Sequence, residues 1–277
     1  MPRTVDAPSF TATNAGSLLT TATWIDNAER LGDGVSFKPE NCDNGTLLEI
    51  CPVGEPAEKT IPAPDGIVTV PTYGDYFAEQ CSLMGGDLDE TASRARRGLE
   101  LRRSKKVEAA LWDGTGTVTD SSALASTAAD QVTLGTGTGV VSGIMALVDA
   151  LNDSLGGARG IIHIPQSVIP LLTFYGLIFR NGNILQVANT DHVYVAGTGY
   201  SGNDPDGNPS IPNYVWAYAT GPVTVLTSSI DVIVDVDRSV NSIEARAEFA
   251  FASLFNPCAH FAAEICIPDP GPDCGTS

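Results

Sequence analysis

The longest regular pattern in the chain is helical. Leu88, Ala92, Ala95 and Leu99 fall on one stripe, which lapses across Arg102 and Arg103 and resumes at Val107, Ala110 and Leu111. Asp87 stands where it can cap the first turn, and Glu90, three residues on, can complete a capping box. No proline interrupts the chain until well past Trp112. The pattern predicts a helix over 87–112, a rod close to ~40 Å long at ~1.5 Å per residue. Near the other end the period changes from helical to alternating. Ile230, Val232, Val234 and Val236 interleave with Asp231, Ile233, Asp235 and Asp237, and Ile243, Ala245, Ala247, Phe249 and Phe251 interleave with Glu244, Arg246, Glu248 and Ala250. Two long antiparallel strands follow from this, each burying one face against the long helix.

Between these elements strand and helix signals alternate. Ile144, Leu147, Val148, Leu151 and Leu155 keep helical spacing up to Gly156-Gly157, a good C-terminal cap. A short buried strand is expected over 160–164, followed by a helix that Pro165 opens and Gly176 ends. A hairpin turning at Asn181-Gly182 and a further strand over 192–196 come next. Residues 134–222 therefore read as a compact α+β lobe. Residues 1–34 are too weakly periodic to make a domain and read as an extended arm. Turn formers crowd residues 35–72 (Pro39, Asn44-Gly45, Pro62, Pro64, Gly66) and predict a projecting hairpin or long loop. Residues 268–277, rich in Pro and Gly, form a tail without regular structure.

Charge changes this picture. The 277 residues carry a formal net charge of -18, which excludes a general nucleic-acid binder. Seven of the fifteen basic residues nevertheless lie within the long helix: Arg94, Arg96, Arg97, Arg102, Arg103, Lys105 and Lys106. With Glu100 the only acid among them, that stretch is +6 in a remainder of -24. At ~100° per residue the seven do not share a face, unlike a groove-reading or membrane-lying helix. A chain divided in this way can pair with copies of itself, basic segment on acidic surface. On that view, reversing Arg102 and Arg103 to Glu would impair assembly and leave the subunit folded.

No apolar run reaches membrane-spanning length and the N-terminus lacks the regions of a signal peptide, so a cytoplasm is the expected compartment and no membrane partner is expected. Six cysteines without a CxxC pair read as reduced structural thiols, disulfides formed after release from a cell being the alternative.

The order of arm, projecting loop, long helix, compact lobe and returning strands is similar to the major capsid proteins of tailed bacteriophages, the Hong Kong 97-type fold. Several stretches resemble capsid proteins of actinobacterial phages: Cys81-Ser-Leu-Met-Gly-Gly-Asp-Leu-Asp-Glu90 leading into the Arg-rich helix that ends at Ala-Leu-Trp112, Gly160-Ile-Ile-His-Ile-Pro165, Val195-Ala-Gly-Thr-Gly-Tyr-Ser-Gly202, and Trp216-Ala-Tyr-Ala-Thr-Gly-Pro222. The resemblance covers roughly residues 73–256. It implies an α+β class with an N-arm (1–34), an E-loop (35–72), a P-domain (73–133) carrying the spine helix 87–112, an A-domain (134–222), P-domain return strands (223–267) and a C-terminal tail (268–277). It further implies a structural protein that forms pentamers and hexamers of an icosahedral head around double-stranded DNA, located in the virion capsid after assembly in the bacterial host cytoplasm. Its partners would be itself, a separate scaffold protein, a portal and a decoration protein, with the seven basic residues of the spine helix as assembly contacts. A chain starting at Met1 without an acidic helical leader points to uncleaved assembly. Lys38 and Lys59 lie in the loop region, but nothing marks a partner for a covalent crosslink. An encapsulin-type nanocompartment is the alternative on the same fold.

Other chemistry finds little support. Gly135-Thr-Gly-Thr-Gly139 precedes a helix as a dinucleotide-binding turn would, yet the third glycine is misplaced and no acid follows the next strand, which leaves a nucleotide-binding enzyme as the remote alternative. His163, His192 and His260 are far apart and fit no metal pattern, so each is expected to be structural. Asp204-Pro-Asp-Gly-Asn208 has the acid spacing of a calcium loop without its closing Glu, and reads as a turn. No catalytic residue, cofactor or metal ligand is expected.

Overall fold

A computed structural model of the chain describes residues 15–38, 67–82, 87–114, 123–126 and 132–267. The first fourteen residues and Gly85-Gly86 lie outside them, as do residues 39–66 of the expected projecting loop and the expected tail 268–277.

The N-terminal segment is more ordered than its composition predicts. It forms a one-turn helix α1 (Leu18–Thr21) and a strand β1 (Thr23–Ile25). A 3-10 turn (Leu31–Asp33) and β2 (Val35–Phe37) follow. From residue 15 onward this is no free arm: Leu18 is wholly buried, and β1 runs parallel to a strand at 223–227. Short polar runs of this kind carry no periodic signal because their ladder partners lie some 200 residues away. β2 pairs with β3 (Val68–Val70) at the base of the loop, and β4 (Tyr73–Ser82) leads to the long helix α2 (Leu88–Asp113).

The 26 residues of α2 start where the cap signal put them. Asp87 accepts a hydrogen bond from Asp89 N at 3.0 Å, and Asp89 and Glu90 sit favourably at the positive end of the helix. Thr91, Ala95, Leu99, Val107, Leu111 and Trp112 form the buried stripe, whereas Leu88, expected to begin it, is exposed. Gly114, at φ 62°, ends the helix, and Ala123–Ser126 folds back on it so that Leu124 N and Ala125 N donate to the carbonyls of Leu111 and Trp112.

Then come β5 (Val132–Gly139), α3 (Val140–Leu155), β6 (Ile161–Pro165), α4 (Ile169–Phe174), β7 (Ile178–Asn181), β8 (Ile184–Val187), β9 (Val193–Gly197) and β10 (Tyr214–Thr220). Pro165 closes β6 instead of opening the helix. A 3-10 turn intervenes, and Pro170 occupies the first turn of α4, where its missing N–H costs nothing. The last strands are β11 (Val223–Thr227), β12 (Asp231–Asp237), β13 (Ser242–Phe255) and β14 (His260–Cys266).

Two sheets organise these elements. In the first, β13 is central: β4 pairs along one edge, while β12 and β11 share the other end to end and β1 extends from β11. Its inward residues Ala245, Ala247, Phe249 and Phe251 pack with Ala95 and Leu99 of α2. Gly98 lets the Phe77 ring lie on the helix, since a Cβ there would stand 2.3 Å from the ring. The second sheet runs β5-β14-β10-β6-β9-β8-β7, with α3 packed on it through Ile144, Leu147 and Leu151.

Three expectations need correction. The block 223–267 is divided, because β14 lies inside the seven-stranded sheet between β5 and β10, away from the returning strands. β12 buries little: it is an edge strand beyond most of the helix, with Ile233 and Val234 at 47% and 39% exposure. Cys258 and Cys266 are disulfide-bonded, so for these two the disulfide alternative holds in place of reduced thiols, and Cys81 is free. The seven-residue β14 separates Cys258 from Cys266 by more than ~20 Å, so they do not bond to each other.

Candidate functional site

The spine helix α2 divides its seven basic residues into two groups. Arg103 belongs to the fold: its side chain is 22% exposed, its guanidinium pairs with Asp26 and Thr227, and it stacks over Trp24 at 5.1 Å and Phe249 at 5.7 Å. Thr227 Oγ1 also donates to Asp26 at 2.9 Å. The bond from Arg103, then that from Thr227, holds the Asp26 carboxyl below the usual range. Arg103 thus ties the N-terminal segment to the sheet, so its reversal is expected to cost the subunit stability as well as any contact between copies. Arg102 lies over the Phe77 ring at 4.5 Å. Arg94 pairs with Glu79 at 2.8 Å, Lys106 with Asp75 at 3.7 Å, and Arg96 donates to the carbonyl of Ile230 at 3.2 Å. Arg97 and Lys105 are exposed and have no ion-pair partner among the described residues.

At the C-terminal half of the helix a buried carboxylate holds three parts of the chain together. Glu108, 1% exposed, accepts from Leu18 N and Ser104 Oγ, each at 3.1 Å. Its other oxygen accepts from Gly199 N at 3.2 Å and Thr198 Oγ1 at 3.3 Å. Burial raises its pKa and these four donors offset part of that rise. One turn on, Asp113 accepts from Ser201 Oγ at 2.8 Å and Asn203 Nδ2 at 2.9 Å, and burial again raises its pKa. The stretch 198–203 just after β9 is therefore the loop that wraps the helix end. Nothing in the helical pattern marked Glu108, since a charged residue beside Val107 reads as a solvated position; only its neighbours in space reveal it.

Trp112 is wholly buried between Tyr200 (ring centroids 4.7 Å) and Tyr218 (4.9 Å, edge to face). Behind them His163 bridges Tyr200 Oη at 2.8 Å and Thr220 Oγ1 at 2.9 Å. Desolvation lowers its pKa to about 3, and lowers that of His260, set against Phe255 and Tyr218, to about 4. His192 Nδ1 accepts from Gly160 N at 2.9 Å, with Asn152 Oδ1 3.1 Å from its Nε2. All three histidines are buried within the fold.

A pH dependence follows. A ring whose folded pKa is depressed contributes stability above its unfolded value near 6.5, and that stability is lost as pH falls toward the folded value. Each of His163 and His260 should cost about 2 kcal/mol between pH 7 and 5, against which Glu108 and Asp113, shifted upward by burial, act in the opposite sense. The urea midpoint of the unassembled subunit should fall over this interval while the His163 ring resonance stays flat. A ring titrating near 6.5 in the folded subunit would contradict the burial described here.

The Gly135–Gly139 stretch lies in β5, whose backbone pairs in parallel with β14, so it forms no phosphate-cradling turn. Asp204 accepts from Asn208 N at 2.6 Å and closes a turn on itself. No group of three potential metal ligands occurs among the described residues, and no described helix is long and apolar enough to cross a membrane.

No protein-family model matches the sequence, and no curated protein matches it. Solved structures do. The capsid of an empty GTA particle aligns with TM-score 0.56 at 15% identity, over 96% of this chain and 95% of that one. The holo-SrpI encapsulin complex from Synechococcus elongatus PCC 7942 aligns with TM-score 0.60 at 11% identity, over 97% and 94%. The capsid of Ralstonia phage GP4 aligns with TM-score 0.51 at 12% identity, over 99% and 97%. Two sheets linked by one long helix, overlaid along nearly the full length of these subunits, give the chain the α+β capsid fold, the Hong Kong 97-type arrangement that the order of its elements implied.

Proposed function

We propose that the chain is a structural protein, the major subunit of a tailed-phage head, which self-associates into pentamers and hexamers of an icosahedral shell around double-stranded DNA. The observation that carries this reading is end-to-end agreement in fold with shell subunits, over more than nine-tenths of both chains in each comparison. Among the described residues, Arg97 and Lys105, exposed on α2, and the hairpin base β2–β3 are available for contact between copies. On this reading the subunit resides in the virion capsid after assembly in the host cytoplasm, and a scaffold protein, a portal and a decoration protein are its further partners. DNA would be enclosed without sequence recognition.

The encapsulin match at TM-score 0.60 favours a second reading, a nanocompartment that encloses protein cargo on the same fold. Electron microscopy of the expressed chain tests the shared part: closed shells are expected, and a chain that stays monomeric or dimeric under all assembly conditions would overturn both readings. Nuclease-protected DNA inside particles from the native source decides for the phage head, and protein cargo without DNA decides against it.

A further inference from the structure

The helix layer on the seven-stranded sheet carries two exposed apolar patches. One is on α3. Ile144, Leu147 and Leu151 face the sheet, and Gly143 sets the helix down over β5 and β14, since a Cβ there would stand 2.9 Å from Thr138 Oγ1 and 3.1 Å from Ile265 Cγ1. The opposite side of the helix presents Val141, Met145 (56% exposed) and Asp149, each one turn beyond the last. The other patch is at the far margin of the sheet. There α4 ends in Phe174, 81% exposed, whose ring centroid lies 5.3 Å from that of the exposed Tyr175. Arg180, exposed on the edge strand β7, lies on the same side of the sheet: its ladder partner is Leu185, which belongs to the core beneath α3 and α4. Phe179 points to the sheet's other side and takes no part.

Single exposed apolar residues need no partner, but adjoining pairs, each beside a charge, describe a contact surface. The two patches are complementary in charge. Arg180 is one of two basic residues in 134–222, and its Nε donates to the carbonyl of Gly182 at 3.0 Å. Neither Arg180 nor Asp149 has an ion-pair partner among the described residues. They cannot meet within one subunit, because five strand spacings, ~24 Å, separate β14 from β7. A second copy brings the missing half. Direction decides what such a contact builds. The α3 stripe looks away from the sheet on its helix side, while the β7 margin looks sideways, across the strands. The two directions are neither opposed nor parallel, and both lie in the plane perpendicular to the strands. With the strands of neighbours aligned, each docking step turns the next copy about an axis that runs along the strands, so successive copies stay in one layer and curve back on themselves.

We infer that the α3 stripe of Val141, Met145 and Asp149 in one copy receives Phe174, Tyr175 and Arg180 of a second copy of this chain, and that repetition of this contact closes a ring. The aromatic pair packs on Val141 and Met145, and Arg180 pairs with Asp149. The contact gives the shell reading above a specific surface within its pentamers and hexamers, and rests on that reading only for the ring's place in a shell.

An exchange of charges tests it. Asp149→Arg alone and Arg180→Asp alone each set like charge against like, and each is expected to weaken association at least about tenfold in low salt while the variant stays folded by circular dichroism. Both substitutions in one chain restore opposite charges at every contact, so association returns. Phe174→Ser removes the exposed ring and should weaken association by a similar factor in low and high salt alike. Mass photometry of the unaltered chain should show pentameric or hexameric rings, and dimers as the end state overturn the ring. Undiminished association of either folded single variant, or no recovery in the folded double variant, overturns the contact. If a charge variant fails to fold, Phe174→Ser decides, and unchanged association refutes the contact. Closed shells formed equally well by every variant refute this contact and leave the shell reading intact. Rings that respond as stated but never join into shells support the contact and refute the shell reading, and a chain that does not associate at all overturns both.

Discussion

Glu108→Ala is expected to destabilise the isolated subunit by about 3–5 kcal/mol, because the substitution leaves the amides of Leu18 and Gly199 buried without acceptors and opens a cavity against the spine helix. The effect should be local as well as global. Leu18 is held to the helix through this carboxylate, and Trp24 Nε1 donates in turn to the Leu18 carbonyl at 3.2 Å, so the segment around α1 and β1 depends on it. Hydrogen exchange at Leu18 and Gly199, and proteolysis within residues 15–30, should rise before the rest of the subunit opens. Glu108→Gln keeps one accepting oxygen but turns an NH2 group toward two of the four donors, so it should recover only part of the loss. A urea midpoint that moves by less than the equivalent of about 1 kcal/mol, with protection of both amides unchanged, would show that the carboxylate is not the link described.

How far the fold could be read in the sequence depended on where each element's partners lie. The spine helix was legible because capping, propensity and a buried stripe are local, and α2 begins at the residue the cap predicted. β13 was legible because one face is buried and the other solvated, which imposes a period of two. β14 was not. His260-Phe-Ala-Ala-Glu-Ile-Cys266 sits between β5 and β10 with most of its residues buried, so no alternation marks it, and its sheet could not be told from its position after β13. β5 was hidden for another reason: glycine and threonine alternate through it and read as a linker or a nucleotide loop, while the strand owes its existence to the ladder with β14. The roles of the basic residues were half legible. Charge counting found the basic helix, but the sequence alone counts Arg103 and Arg97 alike, and only the packing of Trp24, Asp26 and Thr227 assigns the first to the fold.

Gly199→Ala should be the most damaging single-methyl addition among the described glycines. The loop after β9 meets the spine helix backbone to backbone: a Cβ at Gly199 would stand 2.1 Å from the carbonyl oxygen of Lys105 and 2.7 Å from the amide nitrogen of Ala109. Neither atom can rotate aside, so the loop must withdraw, and withdrawal breaks the bonds from Gly199 N and Thr198 Oγ1 to Glu108. It also lifts Tyr200 from Trp112 and from His163. The combined loss of packing and buried hydrogen bonds should reach about 4 kcal/mol or more, enough to leave a marginal subunit largely unfolded at 37 °C. Gly197 provides the comparison, because the Cβ it lacks would first meet the Tyr200 ring at 2.7 Å, a side chain and not backbone, whose movement can relieve the contact in part. Gly197→Ala should therefore cost clearly less than Gly199→Ala in thermal melts of the two variants. Equal melting temperatures would mean that the loop yields without loss, and that backbone contact with the helix does not hold the two sheets in their present relation.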